Sequence, residues 1–367
     1  MSMHVIVSGW LLGVPSGANR RLLAIVERAA RGIRGDERIT VLHPPEFQPA
    51  RIPRVDWKPV DAPRTTLARA LWERTTLPRI LADLGATVLD HGMMPAPRVP
   101  VPVALTVHDV RDADGFGKRP RWLGRAVLRR SAQRAAAILV PSAFTRRRLA
   151  RNCPDAAARI AVVPNAPPDL PPPAPCGLEA GFVLHVGRLE PRKRIDVLIR
   201  AVAGMKNAPP LVLAGADAGE GRRLSRLAHR LGAGGAIRFA GPVGDDLLSG
   251  LYAACAAVAL PSRYEGFGLP ALEGLARGKP VLVADAGALP ETVGGAGIVV
   301  GGGVESWRAA LRDALAGRDP GFEARARARA ASFSWDRAAG SVLDIWRELS
   351  PPRARAPVPP LTTPRPR

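Results

Sequence analysis

A chain of 367 residues is longer than one hydrophobic core usually serves, so two domains are expected, and with 47% of residues apolar each can bury a core without disulfides or metals. Cys153, Cys176 and Cys255 lack C-x-x-C spacing, which argues against a disulfide framework or a zinc site and for a reduced compartment. The formal charge of +21 would suit nucleic acid, but arginine far outnumbers lysine in a chain rich in Ala, Gly and Pro, so composition alone accounts for much of it.

The first residues, Met1-Ser2-Met3-His4-Val5, run directly into a strand pattern, so neither a secretion signal nor a membrane span is expected. Strands are predicted at 5–9, 39–43, 87–90, 103–107, 137–140 and 160–163, separated by helix-like runs, the pattern of a parallel sheet covered by helices. Gly13 to Arg20, with Gly17 inside it, reads as a loop before a helix over 21–31. His108 and Asp109 follow the strand at 103–107, where a side chain can reach a ligand, although such a pair commonly serves structure. Residues 101–150 carry 11 Arg or Lys against three acids. Within that basic segment, 111–148, Trp122, Leu123, Val127 and Leu128 alternate with arginines. Packing of this helix on the sheet is the simpler reading, and contact with an anionic membrane is the alternative.

Pro167 to Pro175 reads as a stiff linker. Beyond it, strands at 182–186, 211–214, 237–240, 256–260, 280–284 and 298–300 predict a second doubly wound domain. The expected division is a first domain at 1–166, linker at 167–180, second domain at 181–334, a terminal helix at 335–350 and a disordered Pro- and Arg-rich tail at 351–367. Asp245-Asp246 reads as the N-cap of a helix over 247–254 rather than a metal pair.

Ligands of open parallel sheets bind beyond the carboxyl ends of the strands, and the chemistry-bearing residues gather there. Gly187 and Arg188 follow the strand at 182–186. Lys193 stands between Arg192 and Arg194 in a chain with only five lysines, so Arg188 and Lys193 are assigned to an anion and Arg192 and Arg194 to solvent. Glu265-Gly266-Phe267-Gly268-Leu269-Pro270-Ala271-Leu272-Glu273 reads as a strand end, a glycine turn and the start of a helix over 269–277 that Gly278 ends. The glycines allow a tight turn and close approach to a ligand, and the free N–H groups of the helix start favour an anion such as phosphate. Glu265 and Glu273 could then reach different hydroxyls of one extended ligand. The plainer alternative for Glu273 is an exposed helix glutamate.

The segment from Glu265 to Glu273 resembles the E-x7-E signature of the retaining, nucleotide-sugar-dependent glycosyltransferases of family 4. Val186 to Lys193, Thr106-Val107-His108-Asp109, Val140 to Thr145, Val163-Pro164-Asn165, Gly278-Lys279-Pro280-Val281 and Gly287 to Glu291 continue the likeness in order, over roughly residues 4–350. The resemblance implies an α/β architecture of two Rossmann-like doubly wound domains facing across a cleft, the GT-B fold, with the acceptor on the first domain, the nucleotide-sugar donor on the second and a C-terminal helix crossing back to the first domain. It also implies roles. Glu265 would bond donor-sugar hydroxyls and Glu273 the ribose diol. The backbone N–H groups of Gly266, Phe267, Gly268 and Leu269 would meet the diphosphate together with Gly187, Arg188 and Lys193. His108 would touch the transferred sugar, and Gly17 would approach donor phosphate and acceptor, with Ala18 where the family has a second glycine.

The implied reaction is metal-independent transfer of a hexose of mannose or glucose type, with retention, from a GDP- or UDP-linked donor. The acceptor would be a glycan, a lipid-linked group or a small molecule, and no cofactor beyond the donor and no nucleic acid is expected. The implied location is cytoplasmic, with the inner membrane face as a peripheral site. An epimerase or sugar phosphorylase of the same fold is the competing enzyme. A paired-carboxylate hydrolase fits less well, since these glutamates come with cations and a phosphate-type helix start. A basic nucleic-acid-binding protein would explain the charge but not the glutamate segment.

Overall fold

The computed structural model describes residues 2–317 and 319–350, so the expectation for the tail lies outside the described residues. Seven parallel strands form the first sheet: β1 His4–Ser8, β2 Arg38–His43, β3 Val55–Pro59, β4 Val88–His91, β5 Val103–Thr106, β6 Ala137–Val140 and β7 Ile160–Val162, in the order β3-β2-β1-β4-β5-β6-β7. Six parallel strands form the second: β8 Val183–Val186, β9 Leu211–Ala214, β10 Ile237–Gly241, β11 Ala257–Leu260, β12 Val281–Ala284 and β13 Ile298–Val300, in the order β10-β9-β8-β11-β12-β13. Central strands such as Ala257-Val258-Ala259-Leu260 are wholly buried, as continuous apolar runs require when helices cover both faces. The order reverses beside β1 and beside β8, and the crevice outside such a switch point is where ligands of these sheets bind.

Strand β3 is absent from the sequence expectation. Val55-Asp56-Trp57-Lys58-Pro59 buries only Val55 fully, and it pairs on one side alone, with β2. A half-exposed edge strand carries charge and proline in place of an apolar run, so periodicity does not reveal it.

The first helix spans Gly17–Gly32 rather than beginning at Arg21. Ser16 is its N-cap, its hydroxyl accepting from the Asn19 N–H at 3.2 Å. The helix over Asp245–Ala254 likewise starts earlier than expected: Gly244 is the N-cap, and Asp245 and Asp246 lie in the first turn. In the helix Arg121–Arg134, Gly124, Leu128, Ser131 and Ala132 face inward, while Trp122 is 72% exposed. The aromatic therefore does not share the packed face. No helix among the described residues is long and apolar enough to cross a membrane.

The helix Trp335–Leu349 crosses back to the first domain. Its buried residues Trp335, Ala338, Ala339, Val342, Leu343 and Trp346 recur at helical spacing and join the core formed by β1, β2 and the Gly17–Gly32 helix. Trp346 Nε1 donates to Asp90 Oδ2 at 2.8 Å, Trp335 Nε1 to the Pro167 carbonyl at 2.9 Å, and Arg347 pairs with Glu37 at 2.8 Å. The linker is held as well, since the Pro171 carbonyl accepts from Ser249 at 2.6 Å and from Arg277 at 3.2 Å.

Candidate active site

On the second domain, the turn after β8 carries Gly187 at φ +149°, a conformation open to glycine alone. A Cβ there would stand 3.3 Å from Lys193 Nζ. Lys193 is 7% exposed, and its Nζ meets Glu265 Oε1 at 2.5 Å. Arg192, expected in solvent, turns inward instead. It pairs with Glu190 at 2.6 Å and with Glu265 Oε2 at 3.2 Å, and donates to the Tyr264 carbonyl at 2.6 Å. Arg188 is exposed at the strand end and makes no ion pair among the described residues.

Burial would raise the Glu265 carboxyl, but Lys193 and Arg192 outweigh it and hold the group down at about 2, against an ordinary 4.5. A carboxyl depressed by folding adds stability above its unfolded value and loses it as pH falls through the folded one. The urea midpoint of the protein should therefore drop between about pH 4.5 and 2. Glu265→Gln should flatten that part of the profile, and an unchanged slope would show that Glu265 is not held this way.

The two glycines of the glutamate turn divide their work. Gly268 has φ +100° and is the N-cap of the helix Leu269–Ala276, whose first N–H groups have no side-chain cap. Gly266 is needed for close approach of the two domains: a Cβ there would lie 2.0 Å from the His108 carbonyl oxygen. Phe267 is buried and packs edge-on against Phe333 at 5.6 Å, so its backbone, not its ring, faces the turn. At the facing helix start, a Cβ on Gly17 would stand 3.0 Å from Leu269 Cδ1.

Glu273 is not an exposed helix glutamate. It is 5% exposed, and its Oε2 accepts from Tyr252 Oη at 2.6 Å while Arg20 of the first domain lies 3.7 Å from Oε1. Burial pushes this carboxyl up, against the opposing effects of Tyr252 and Arg20. Arg20 also pairs with Asp245, which is the use the structure makes of that acid. Neither Arg20 nor Tyr252 was singled out from the sequence, because no local pattern marks a residue whose partner lies on another element, Glu273 on the next helix for Tyr252 and in the other domain for Arg20.

From the first domain, half-buried His108 follows β5 beside Gly92 and lines a cavity of about 70 Å³ with Ser8, Trp10, Asn19, Arg21 and Asp90. Burial, then the charges of Arg21 and Arg111, lower its pKa to about 4, so the imidazole is neutral at pH 7. The two halves grip one another around the glutamate turn. The Gly266 carbonyl accepts from Ser142 Oγ at 2.7 Å and Thr145 Oγ1 at 3.1 Å. Glu291 accepts from Ala143 N and Phe144 N at 2.6 and 2.8 Å, so a carboxylate from the second domain meets the start of a first-domain helix. Tyr264 inserts into the first-domain core and donates to Asp114 at 3.0 Å. Ser142, Thr145 and Glu291 lie in motifs visible in the sequence, but their joint function as a clamp is a tertiary fact. Among the described residues no group of three His, Cys, Asp or Glu side chains could hold a metal ion.

Two family models match in succession: that described as Glycosyltransferase Family 4 over residues 15–169, and that described as Glycosyl transferases group 1 over residues 177–335. Among curated relatives, the D-inositol 3-phosphate glycosyltransferase of Actinosynnema mirum is 39% identical over 200 residues, covering 46% of this chain and 46% of the relative. The O-antigen chain mannosyltransferase B of Escherichia coli is 35% identical over 178 residues, again with 46% of each chain covered. The chain thus spans about half the length of the curated relatives it matches. Among solved structures, sucrose-phosphate synthase from Thermosynechococcus elongatus superposes with a TM-score of 0.79 at 20% identity, covering 95% of this chain and 99% of that one. HepE of Anabaena in complex with UDP-glucose does so with a TM-score of 0.71 at 19% identity, covering 94% and 100%. At those identities the likeness is one of fold, two parallel α/β domains in the GT-B arrangement. With one family model on each domain and that fold beneath them, the chain belongs to the GT-B glycosyltransferases of family 4.

Proposed function

We propose that the protein transfers a hexose from a nucleoside diphosphate sugar to a hydroxyl acceptor, with retention and without a metal ion. The observation that carries this reading is the Arg192–Lys193–Glu265 cluster, set beside an uncapped helix start. Breaking the bond from the anomeric carbon to the diphosphate builds negative charge on the leaving phosphate oxygens. Cations and N–H dipoles already aimed at those oxygens bind the transition state more tightly than the substrate. Lys193 has three N–H donors, of which Glu265 takes one, so the others can serve phosphate. Glu265 orients Lys193 and keeps lone pairs for sugar hydroxyls, and exposed Arg188 adds a planar fork at the mouth. Glu273, fixed at Oε2 by Tyr252, can offer Oε1 to a ribose diol once Arg20 gives way. The E. coli relative is named for mannose and the Anabaena neighbour was solved with UDP-glucose, which supports a hexosyl donor and leaves GDP and UDP both to be tried.

Calorimetric titration of UDP, UDP-glucose, GDP and GDP-mannose tests the division between the glutamates. Glu273→Gln should weaken free nucleotide and sugar nucleotide alike, by roughly tenfold, as the loss of a charged hydrogen bond does. Glu265→Gln should spare the nucleotide and weaken only the sugar form. Equal losses in both variants would overturn the assignment.

A further inference from the structure

We propose that the cavity beneath the first-domain strand ends is a subsite for an uncharged, hydroxyl-rich acceptor group seated between Arg21 and Asp90; this deepens the transfer reading and rests on it. Arg21 is 4% exposed. Its Nη1 donates to the Val163 carbonyl at 2.9 Å and to Asn165 Oδ1 at 2.8 Å, while Nη2 is buried with no hydrogen-bond partner. Asp90, on β4, receives Trp346 Nε1 at Oδ2. Both side chains line the same cavity.

A guanidinium only donates and a carboxylate only accepts, whereas a hydroxyl does both. A hydroxyl between them accepts from Arg21 Nη2, which otherwise has no partner, and donates to Asp90. A phosphate or carboxylate could answer Arg21 but would set its charge against the half-buried Asp90, and an ammonium would meet the same objection from Arg21. Trp10 and Trp346 supply indole surface on the walls, which suits the C–H faces of a sugar or cyclitol ring. His108, whose backbone carbonyl lies against Gly266, also lines the cavity; it is neutral and can bond a hydroxyl without bringing charge. Trp346 belongs to the helix that crosses back from the second domain, so both ends of the chain build the subsite.

The test titrates the full chain with myo-inositol, methyl α-D-mannopyranoside and methyl α-D-glucopyranoside, and with mannose 6-phosphate and glucose 6-phosphate, by calorimetry and thermal shift, with UDP and GDP as controls. At least one neutral compound should bind more tightly than the phosphorylated sugars. Asp90→Asn should weaken it by roughly tenfold or more, as loss of a charged hydrogen bond does, with nucleotide affinity unchanged. The ranking of neutral against phosphorylated sugars in the unaltered protein decides the matter even where a variant fails to fold. Tighter binding of the phosphorylated sugars, lost on Arg21→Gln but kept on Asp90→Asn, would make this an anion site and overturn the proposal. So would neutral-sugar binding indifferent to Asp90, or no sugar binding in a protein that binds nucleotide. Asp90-dependent sugar binding without any nucleotide binding would keep the subsite and overturn the transfer reading instead.

Discussion

Lys193→Ala should lower turnover by roughly two to three orders of magnitude, the usual cost of removing a preorganised electrostatic donor from a leaving group. The lysine is the most enclosed cation of its turn, 9% exposed at the side chain, so its field is little screened by water. The fold should survive, because Glu265 keeps Arg192 at 3.2 Å and is not left as an unpaired buried charge. Far-UV circular dichroism and the melting temperature separate lost chemistry from lost structure. Turnover within a few-fold of the unaltered enzyme, in a folded variant, would remove Lys193 from the reaction. Arg188→Lys is the companion variant. Exposed at the end of β8, Arg188 has no structural partner to lose among the described residues, so a fall in turnover there would report on its fork geometry at the phosphate.

The sheets were readable because their central strands are short apolar runs buried on both faces, at regular spacing, and the turns after β5, β8 and β11 stood out by residue type. What escaped was set by tertiary pairing. Arg192 looks like one member of a solvated run of Arg192-Lys193-Arg194, and only the return of the chain 72 residues later, at Tyr264 and then Glu265, turns it inward. Glu273 on a short helix has no local sign of being buried; Tyr252 and Arg20 decide that from other elements. Gly266, like Gly268, reads as a glycine that lets the turn approach a ligand, yet its missing Cβ makes room for the His108 backbone. Arg21, inside a helix rich in arginine, differs from its neighbours only in facing Val163 and Asn165. In each case the residue type was visible and the partner was not.

Ending the chain after Ser334 should destabilise the first domain and abolish transfer, although every strand of that domain would remain. Trp346 and Trp335 are 0% and 5% exposed, and Val342 and Leu343 pack with them in the same core as β1 and the Gly17–Gly32 helix. Removing one buried tryptophan typically costs about 3–5 kcal/mol, and a domain's whole margin is about 5–15 kcal/mol, so losing the entire face consumes most or all of it. The polar cost adds to this. Asp90, which burial already pushes up to about 6, would lose the indole N–H that favours its charged form. Trp346→Phe isolates that part, keeping an aromatic ring while deleting the donor, and should cost less than Trp346→Ala by a clear margin in urea. Residues 351–367 are rich in Pro and Arg and lack an apolar periodicity, so ending the chain after Ser350 should leave melting and turnover unchanged. Thermal melts of the three forms, followed by small-angle scattering with and without sugar nucleotide, check the argument. The crossing helix also ties the second domain's chain end to the first domain, so narrowing of the cleft must bend the chain at two places, at 167–180 and near Ser334. A stable, active enzyme lacking the crossing helix, or no compaction on binding donor, would rule out closure by that double hinge.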